Sequence, residues 1–260
     1  MIDLHCHILP GIDDGSKTIE ETKEMLTIAA DEDIRVIAAT HHFIDDQQSI
    51  DSYVSSVDKG ISEIQPILRD MGTNIKVVRG AEVFISPFLS QMDDIEMLCI
   101  NGSQYLLIEL PMMDIPQYTE DVIYSLRIRG IIPIIAHPER NHRIMENPNL
   151  LYPFIELGAL SQVNAGSITG FFGKSVMKCA RVLFDYNMAH IISSDAYSPR
   201  GRAPRMQEAV HVLRKWVGSE FTSEIINNTP RAILNDVFLE MAQPSRYYKR
   251  VFSFPFFIKR

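Results

Sequence analysis

The chain opens with MIDLHCH at residues 1–7, an apolar run that ends in His-x-His. Alternate side chains of an extended strand share one face, so His5 and His7 point the same way. The acidic pair Asp13-Asp14 follows on the next loop, and imidazoles with carboxylates are ligands for divalent metal ions. The stretch therefore predicts a buried first strand that delivers metal ligands. The simpler alternative is two histidines packed at a strand end.

Length, charge and cysteine content narrow the class of protein. At 260 residues the chain can bury one large core, and single α/β barrels commonly have this length. The formal net charge of -8 does not favour nucleic acid as a partner. We expect neither a signal peptide nor a membrane span, and three cysteines suit a reducing compartment. The expectation is a cytoplasmic protein.

Short apolar runs alternate with helical patterns along the chain. The predicted strands lie at residues 2–5, 35–40, 76–83, 105–110, 131–137, 159–163 and 190–193. Helices are predicted from the capping residues near Ser16 toward Asp31 and over residues 50–71. Near-continuous apolar strands separated by helices indicate parallel βαβ units. About seven such units predict a closed or nearly closed α/β barrel.

Side chains that bind metals recur at the carboxyl ends of these strands. They are His5, His7, His41, His42, Glu82, Glu109, His137 and Asp195. In a parallel barrel those ends converge on one mouth, where active sites lie. Any one of these residues could be an exposed loop carboxylate or a histidine bonded to a backbone carbonyl. Glu82 and Glu109 carry more weight, because each sits inside or just after an apolar strand. A carboxylate there needs a partner against its desolvation, and a divalent cation is one.

The order of the motifs resembles the polymerase-and-histidinol-phosphatase (PHP) superfamily. The motifs are His5-x-His7, Asp13-Asp14-Gly15, Thr40-His41-His42, Gly80-Ala81-Glu82, Ile108-Glu109, Ala136-His137-Pro138-Glu139-Arg140 and Ser194-Asp195. Within it, the chain resembles the bacterial manganese-dependent protein-tyrosine phosphatases of capsule and exopolysaccharide operons. The resemblance implies a distorted TIM-like (β/α)7 barrel of the PHP type over residues 1–240, followed by a basic aromatic tail at 241–260.

The same resemblance implies a centre of two to three divalent ions. Manganese is expected, with iron, zinc and magnesium as alternatives. The three implied ligand groups are His5, His7, Glu82 and Asp195; Glu82, Glu109 and His137; and Asp14 and His42. In the family a histidine two positions after the last aspartate completes the third group, but this chain has Tyr197 there. We expect the third ion to be weakly held, bound through tyrosinate, or lost.

Two arginines match the family positions that bind phosphate. Arg140 follows the His137 ligand, and Arg202 follows the Asp195 loop. A guanidinium suits this task because it offers paired N–H donors to phosphate oxygens. Arg200 stands two residues before Arg202, and the choice between them rests on the resemblance alone.

A thiol phosphatase needs a cysteine with an arginine six residues later. The residues six positions after Cys6, Cys99 and Cys179 are Ile12, Tyr105 and Asp185. None fits, so the sequence excludes a cysteine nucleophile of that kind.

The predicted function is metal-dependent hydrolysis of phosphotyrosine on a phosphorylated bacterial tyrosine kinase that controls capsule or exopolysaccharide synthesis. One alternative keeps the site and changes the substrate to a small phosphomonoester, as in histidinol phosphatase. Another is a weakly catalytic regulatory partner of the kinase, with Tyr197 marking decay of the metal site. The tail at 241–260 either packs on the barrel or makes weak contact with a membrane surface.

Overall fold

The computed structural model describes residues 1–248, in which nine strands alternate with ten α-helices. The strands are β1 (Ile2–Cys6), β2 (Val36–Ala39), β3 (His42–Phe43), β4 (Lys76–Arg79), β5 (Glu82–Phe84), β6 (Tyr105–Glu109), β7 (Ile132–Ala136), β8 (Leu160–Asn164) and β9 (Ile191–Ser193). The helices are α1 (Ile19–Asp31), α2 (Ile50–Asp70), α3 (Thr119–Ile128), α4 (His142–Glu146), α5 (Tyr152–Glu156), α6 (Ala165–Thr169), α7 (Lys174–Asp185), α8 (Gln207–Val217), α9 (Ser219–Ser223) and α10 (Thr229–Leu234).

All strand pairs are parallel, and the strands form two runs of neighbours. One has the order β1-β2-β4 and the other β3-β5-β6-β7-β8-β9. The N–H of Asp195, just after β9, donates to the carbonyl oxygen of His5 at 2.8 Å, and His7 N–H donates to Ala196 O at 2.8 Å. These bonds join the last strand to the first. The predicted α/β fold is therefore confirmed as a distorted barrel.

The predicted strand at 76–83 is interrupted, and the one predicted at 35–40 is followed, after a short break, by the additional strand β3. β2 and β3 are separated at Thr40-His41, and β4 and β5 at Gly80-Ala81. The Tyr53 hydroxyl, delivered by α2, lies 2.9 Å from His41 O and 2.8 Å from Gly80 O. The His41 carbonyl also accepts a hydrogen bond from the Glu82 N–H at 2.9 Å, so the pairing between these two strand units continues across the break. Seven strand units therefore account for nine observed strands.

A small apolar cluster lies inside the ring of strands. It takes side chains from β1, β2, β4 and β6 through β9, among them Leu4, Leu107 and Ile134. A larger cluster packs the helices against the outside of the strands. Glu109 shares a face of β6 with Leu107, so regular alternation carries a carboxylate from the inner core to the mouth.

The described part of the predicted tail, residues 241–248, packs on the barrel. Asn187 Nδ2 donates to Gln243 O at 3.1 Å, and the Tyr247 N–H donates to Asn149 Oδ1 at 2.7 Å. The remainder of the predicted tail, residues 249–260, lies outside the described residues. No described helix combines the length and apolar character needed to cross a bilayer.

Candidate metal centre at the mouth of the barrel

The eight predicted ligands gather at one end of the strands. His5 lies in β1 and Glu109 ends β6, whereas His42 begins β3 and Glu82 begins β5. The remaining four lie on the loops that follow β1, β7 and β9, and they are His7, Asp14, His137 and Asp195. The convergence expected of a parallel barrel therefore holds for these side chains.

Glu82 is the hub of this cluster. Its Oε2 lies 3.1 Å from His5 Nε2, 3.2 Å from His7 Nε2 and 3.1 Å from His42 Nδ1. Its Oε1 lies 2.9 Å from His137 Nε2. Burial alone would raise the pKa of Glu82, but the imidazoles outweigh it and hold that pKa well below its usual range. A charged carboxylate therefore sits at the centre of four imidazoles.

The Nδ1 atoms of His5 and His7, which face away from Glu82, each have a hydrogen-bond partner. His5 Nδ1 lies 2.8 Å from Gln162 Oε1, and His7 Nδ1 lies 2.7 Å from Asp13 Oδ2. An amide oxygen and a carboxylate only accept hydrogen bonds, so each Nδ1 carries a proton. A metal-bound His5 or His7 would be neutral, and its Nε2 lone pair would face the ion on the side of the site where Glu82 lies. Outer partners of this kind orient histidine ligands in metal sites.

Two buried carboxylate oxygens without hydrogen-bond partners in the described part of the chain show whether the site suits a metal ion. Glu82 Oε2 and Asp195 Oδ1 are buried and lack a hydrogen-bond partner of good geometry within residues 1–248. Asp195 Oδ1 also lies 3.4 Å from His5 Nε2. A divalent cation would satisfy these oxygens and the imidazole lone pairs together. The donor set therefore fits a metal centre.

A second group lies beside the first, around Glu109. Its Oε1 is 3.8 Å from His137 Nε2, and its Oε2 is 3.7 Å from His42 Nδ1. Burial and the neighbouring charge of Glu82 raise the pKa of Glu109. Two adjacent carboxylates favour a cation between them, because it removes their mutual repulsion. His42, Glu82 and Glu109 offer ligand atoms within 4.8 Å of one another.

Backbone strain also marks the centre. His137 has φ 32° and Asp195 has φ 51°, the left-handed region that side chains other than glycine rarely adopt. Each residue follows a strand end directly or by one position. Strain at two neighbouring predicted ligands is characteristic of functional sites.

Asp13 is the supporting residue that the sequence reasoning missed. Its Oδ2 accepts hydrogen bonds from His7 Nδ1 at 2.7 Å and from the His42 N–H at 2.9 Å. Its Oδ1 lies 2.8 Å from His41 Nδ1. Burial would raise the pKa of Asp13, but His41 and His7 outweigh it and lower that pKa. Asp13 therefore orients ligands from the first and second strand units.

His41 supports the site without facing it. Its Nε2 accepts a hydrogen bond from the Leu9 N–H at 3.1 Å, so the proton sits on Nδ1, which lies 2.8 Å from Asp13 Oδ1 without the geometry of a hydrogen bond. Burial lowers the pKa of His41, which keeps the ring neutral. The doublets Asp13-Asp14 and His41-His42 were the available signal, since each pairs a supporting residue with a predicted ligand.

The third predicted group is arranged differently from the other two. Asp14 Oδ1 lies 3.6 Å from His42 Nε2, and the Asp14 side chain is 71% exposed. The Tyr197 hydroxyl lies only 2.8 Å from the same His42 nitrogen. Burial and nearby carboxylates raise the pKa of Tyr197 above its usual value, which favours the neutral phenol. The Tyr197 hydroxyl thus competes for the nitrogen that a third ion would need, although Asp14 and His42 lie with His7 and Asp13 in a group whose ligand atoms are within 4.8 Å of one another.

Both predicted arginines reach the cluster through Asp195. Arg140 Nη1 lies 3.0 Å from Asp195 Oδ2, and Arg202 Nη2 forms an ion pair with the same oxygen. Asn164 Nδ2 donates to it as well, at 2.5 Å. Arg200, in contrast, is exposed on its loop. The geometry therefore places the Arg202 side chain, and not that of Arg200, beside the predicted ligands.

Comparison with known families agrees with this architecture. The profile described as capsular polysaccharide synthesis, CpsB/CapC, matches residues 1–235. The tyrosine-protein phosphatase YwqE of Bacillus subtilis (strain 168) is 36% identical over 258 residues, which cover 99% of this chain and 100% of the relative. The chain belongs to the CpsB/CapC family.

Solved structures extend the comparison. A structure described with YwqE from Bacillus subtilis and CpsB from Streptococcus pneumoniae as unique metal-dependent tyrosine phosphatases matches with a TM-score of 0.88 and 34% identity. The match covers 96% of the present chain and 100% of the chain in that solved structure. A histidinol phosphate phosphatase from Lactococcus lactis, complexed with zinc, L-histidinol and phosphate, covers 86% of this chain and 94% of its own. At a TM-score of 0.51 and 12% identity, this second likeness shows the fold alone.

The close approach of Gly15 to His7 yields a first prediction. A Cβ built on Gly15 would lie 2.4 Å from His7 Cβ and 2.6 Å from His7 O. Gly15→Ala must therefore displace His7, and we expect manganese affinity to fall about 10- to 100-fold, as for other losses of ligand support. Isothermal titration measures this. Gly72→Ala is the control, because it adds local strain but its Cβ meets nothing within 4 Å. Equal affinities in both variants would contradict the prediction.

A second prediction concerns the number of metals. We expect wild type to bind about two manganese ions per chain, because Tyr197 occupies His42 Nε2. Tyr197→His replaces the phenol by an imidazole, a better ligand, and should add a third ion. Tyr197→Phe should keep the wild-type count, since a neutral phenol contributes no ligand. Elemental analysis after removal of excess metal decides this. Three tightly bound ions in wild type, or loss of one in Tyr197→Phe, would refute it.

Proposed function

We propose that this chain is a metal-dependent protein-tyrosine phosphatase that acts on a phosphorylated bacterial tyrosine kinase of capsule or exopolysaccharide synthesis. The observation that carries the proposal is the buried Glu82 carboxylate among imidazoles, with Arg140 and Arg202 alongside. One part of the mouth fits divalent cations and the adjacent part fits a phosphate dianion. These are the two requirements of metal-assisted phosphomonoester hydrolysis.

The proposed division of labour separates metal ligands from phosphate ligands. His5, His7, Glu82 and Asp195 would hold one ion, and Glu82, Glu109 and His137 would hold another. When bound, such ions lower the pKa of a coordinated water toward neutrality and stabilise charge on the phosphoryl oxygens.

Arg140 and Arg202 bind and orient the phosphate in this proposal. A guanidinium has five N–H donors, so each arginine can keep its contact with Asp195 Oδ2 and still offer donors to phosphate. The negative charge of Asp195 in turn offsets the repulsion between the two guanidinium groups. The two arginines would thus hold the phosphate beside the predicted metal ligands.

The cysteines support the metal mechanism by their environment. Cys6, Cys99 and Cys179 are all buried, and burial raises the pKa of both Cys99 and Cys179 to about 12. Burial raises the pKa of Cys6 well above its usual value too. The thiolate is the reactive form of cysteine, so these thiols are poor nucleophiles at neutral pH.

The openness of the site favours a protein substrate over a small metabolite. His5, His7 and Glu82 are fully buried, whereas Asp14, His42 and Arg202 are partly or largely exposed at the rim. A phosphotyrosine side chain can reach such a rim while its peptide stays outside. Two further points support the proposal, because YwqE is named a tyrosine-protein phosphatase and the family is described by capsular polysaccharide synthesis.

Manganese as the physiological ion and a cytoplasmic location complete the proposal. Nitrogen and carboxylate ligands accept manganese, iron and zinc, so the choice of manganese rests on the family resemblance. A cytoplasmic location agrees with three unpaired cysteines, which are typical of a reducing compartment.

The metal mechanism gives the third prediction. Chelation should abolish hydrolysis of phosphotyrosine peptides, and added manganese should restore it. His7→Ala, Glu82→Ala and His137→Ala should remove nearly all activity, because each removes a predicted ligand. Cys6→Ser is the control and should keep most of it. Steady-state rates with a phosphotyrosine peptide, phosphoserine and histidinol phosphate test the substrate class. Activity that resists chelation but is lost in Cys6→Ser would overturn the mechanism.

The fourth prediction concerns the arginines. Arg140→Ala and Arg202→Ala should each lower turnover about 100- to 1000-fold, by analogy with loss of other transition-state charge donors. Their metal content should stay near that of wild type. Arg200→Ala is the matched control, because Arg200 lies on the same loop but is exposed, and it should remain active. A silent Arg202→Ala with a damaging Arg200→Ala would reverse the assignment.

A further inference from the structure

Besides Asp195, the guanidinium groups of Arg140 and Arg202 share a second neighbour, the aromatic ring of Phe172. Arg140 Cζ lies 4.4 Å from the centroid of the Phe172 ring, and Arg202 Cζ lies 5.7 Å from the same centroid. A guanidinium within about 6 Å of an aromatic ring centroid is attracted by the ring's negative face. The Asp195 carboxylate and the Phe172 ring thus restrain both cations from two directions.

Arg202 has a second aromatic contact. Its Cζ lies 3.9 Å from the centroid of the Tyr197 ring, whose stacked neighbour is His7 at 3.9 Å between centroids. Within residues 1–248, Phe172 is the only aromatic ring that the Arg140 guanidinium contacts in this way. Loss of Phe172 should therefore affect Arg140 more than Arg202.

The loop that carries Phe172 is built to seat its ring. A Cβ on Gly166, in α6, would lie 2.9 Å from Phe172 Cε2, so glycine leaves the space that the ring uses. Phe171 N–H donates to Gly166 O at 2.9 Å and fixes the loop to the helix. Phe171 itself points outward and is 62% exposed.

The buried carboxylate of Glu139 ties α6, which carries Gly166, to the segment that carries Arg140. Glu139, the residue before Arg140, accepts hydrogen bonds at its Oε1 from Ser167 Oγ at 2.5 Å and from the Asn164 N–H at 3.0 Å. Ser167 belongs to α6, as Gly166 does. The arginine and the aromatic ring are therefore held by the same short segment of the barrel mouth.

We propose that Phe172 is a positioning residue, which holds the guanidinium groups of Arg140 and Arg202 in the arrangement that receives a phosphate dianion. The proposal rests on the proposed function in that it takes a phosphomonoester as the substrate. Phe172 does not touch the reacting atoms and acts through the two arginines. Without the ring, each guanidinium would sample more orientations, and phosphate would have to order them on binding.

The direct test is a set of substitutions at the ring and its seat. Phe172→Ala should lower kcat/KM for a phosphotyrosine peptide about tenfold, the size expected for loss of cation–π contacts at a partly buried site. Phe172→Leu keeps apolar volume but removes the aromatic face, and it should lose nearly as much. Phe172→Tyr should restore activity to near wild type. Gly166→Ala should mimic Phe172→Ala by pushing the ring from its seat.

Binding of inorganic phosphate to the manganese-loaded protein gives a readout independent of turnover. Its dissociation constant should rise about tenfold in Phe172→Ala and Phe172→Leu, with manganese content and circular dichroism unchanged. Wild-type phosphate affinity in both variants would overturn the proposal. If wild type failed to hydrolyse phosphotyrosine, the proposed function would fall, and this phosphate measurement would still decide the role of Phe172.

A double-mutant cycle separates positioning from general support of the loop. In an Arg140→Ala background, Phe172→Ala should lower kcat/KM further by no more than about threefold, because its main partner is already gone. A full tenfold loss in that background would show that Phe172 acts elsewhere and would refute the proposal.

Discussion

The burial of one carboxylate among imidazoles is the constraint on which this structure depends. Glu82 is fully buried, and its two oxygens face nitrogen atoms of His5, His7, His42 and His137. A charged group in such a place is strongly destabilising unless opposite charge surrounds it. The barrel meets this condition by bringing imidazoles from three strand units to one point. The same local charge makes the site receptive to divalent cations.

Asp195 couples the metal side of the mouth to the phosphate side. Its Oδ1 faces His5 Nε2, whereas its Oδ2 contacts Arg140, Arg202 and Asn164. Asn164 Oδ1 accepts a hydrogen bond from Gln162 Nε2, and Gln162 Oε1 faces His5 Nδ1. A closed circuit of side chains thus fixes the tautomer of one predicted ligand and the orientation of another. Such outer contacts set the geometry that metal-assisted hydrolysis requires.

The strand pattern predicted much of this arrangement, because parallel strands bring their carboxyl ends together whatever the details of packing. His5, Glu109 and His137 could be proposed in this way. Gln162 could not, since its role follows from a contact between β8 and β1, and the only sign of the supporting role of Asp13 was its place beside Asp14. The breaks beside His41 and Gly80 were missed as well, because the Tyr53 hydroxyl that binds both carbonyls belongs to α2, and the sequence of the strands does not show this contact.

The most direct test of the account replaces Glu82 by its neutral isostere. Manganese is titrated calorimetrically into chelator-treated wild type and Glu82→Gln, with circular dichroism to confirm that both are folded. We expect wild type to bind about two ions. In Glu82→Gln the affinity for manganese should fall at least about 100-fold, because the negative charge of the Glu82 carboxylate is gone. A folded Glu82→Gln protein that binds manganese with wild-type stoichiometry and affinity would contradict this expectation.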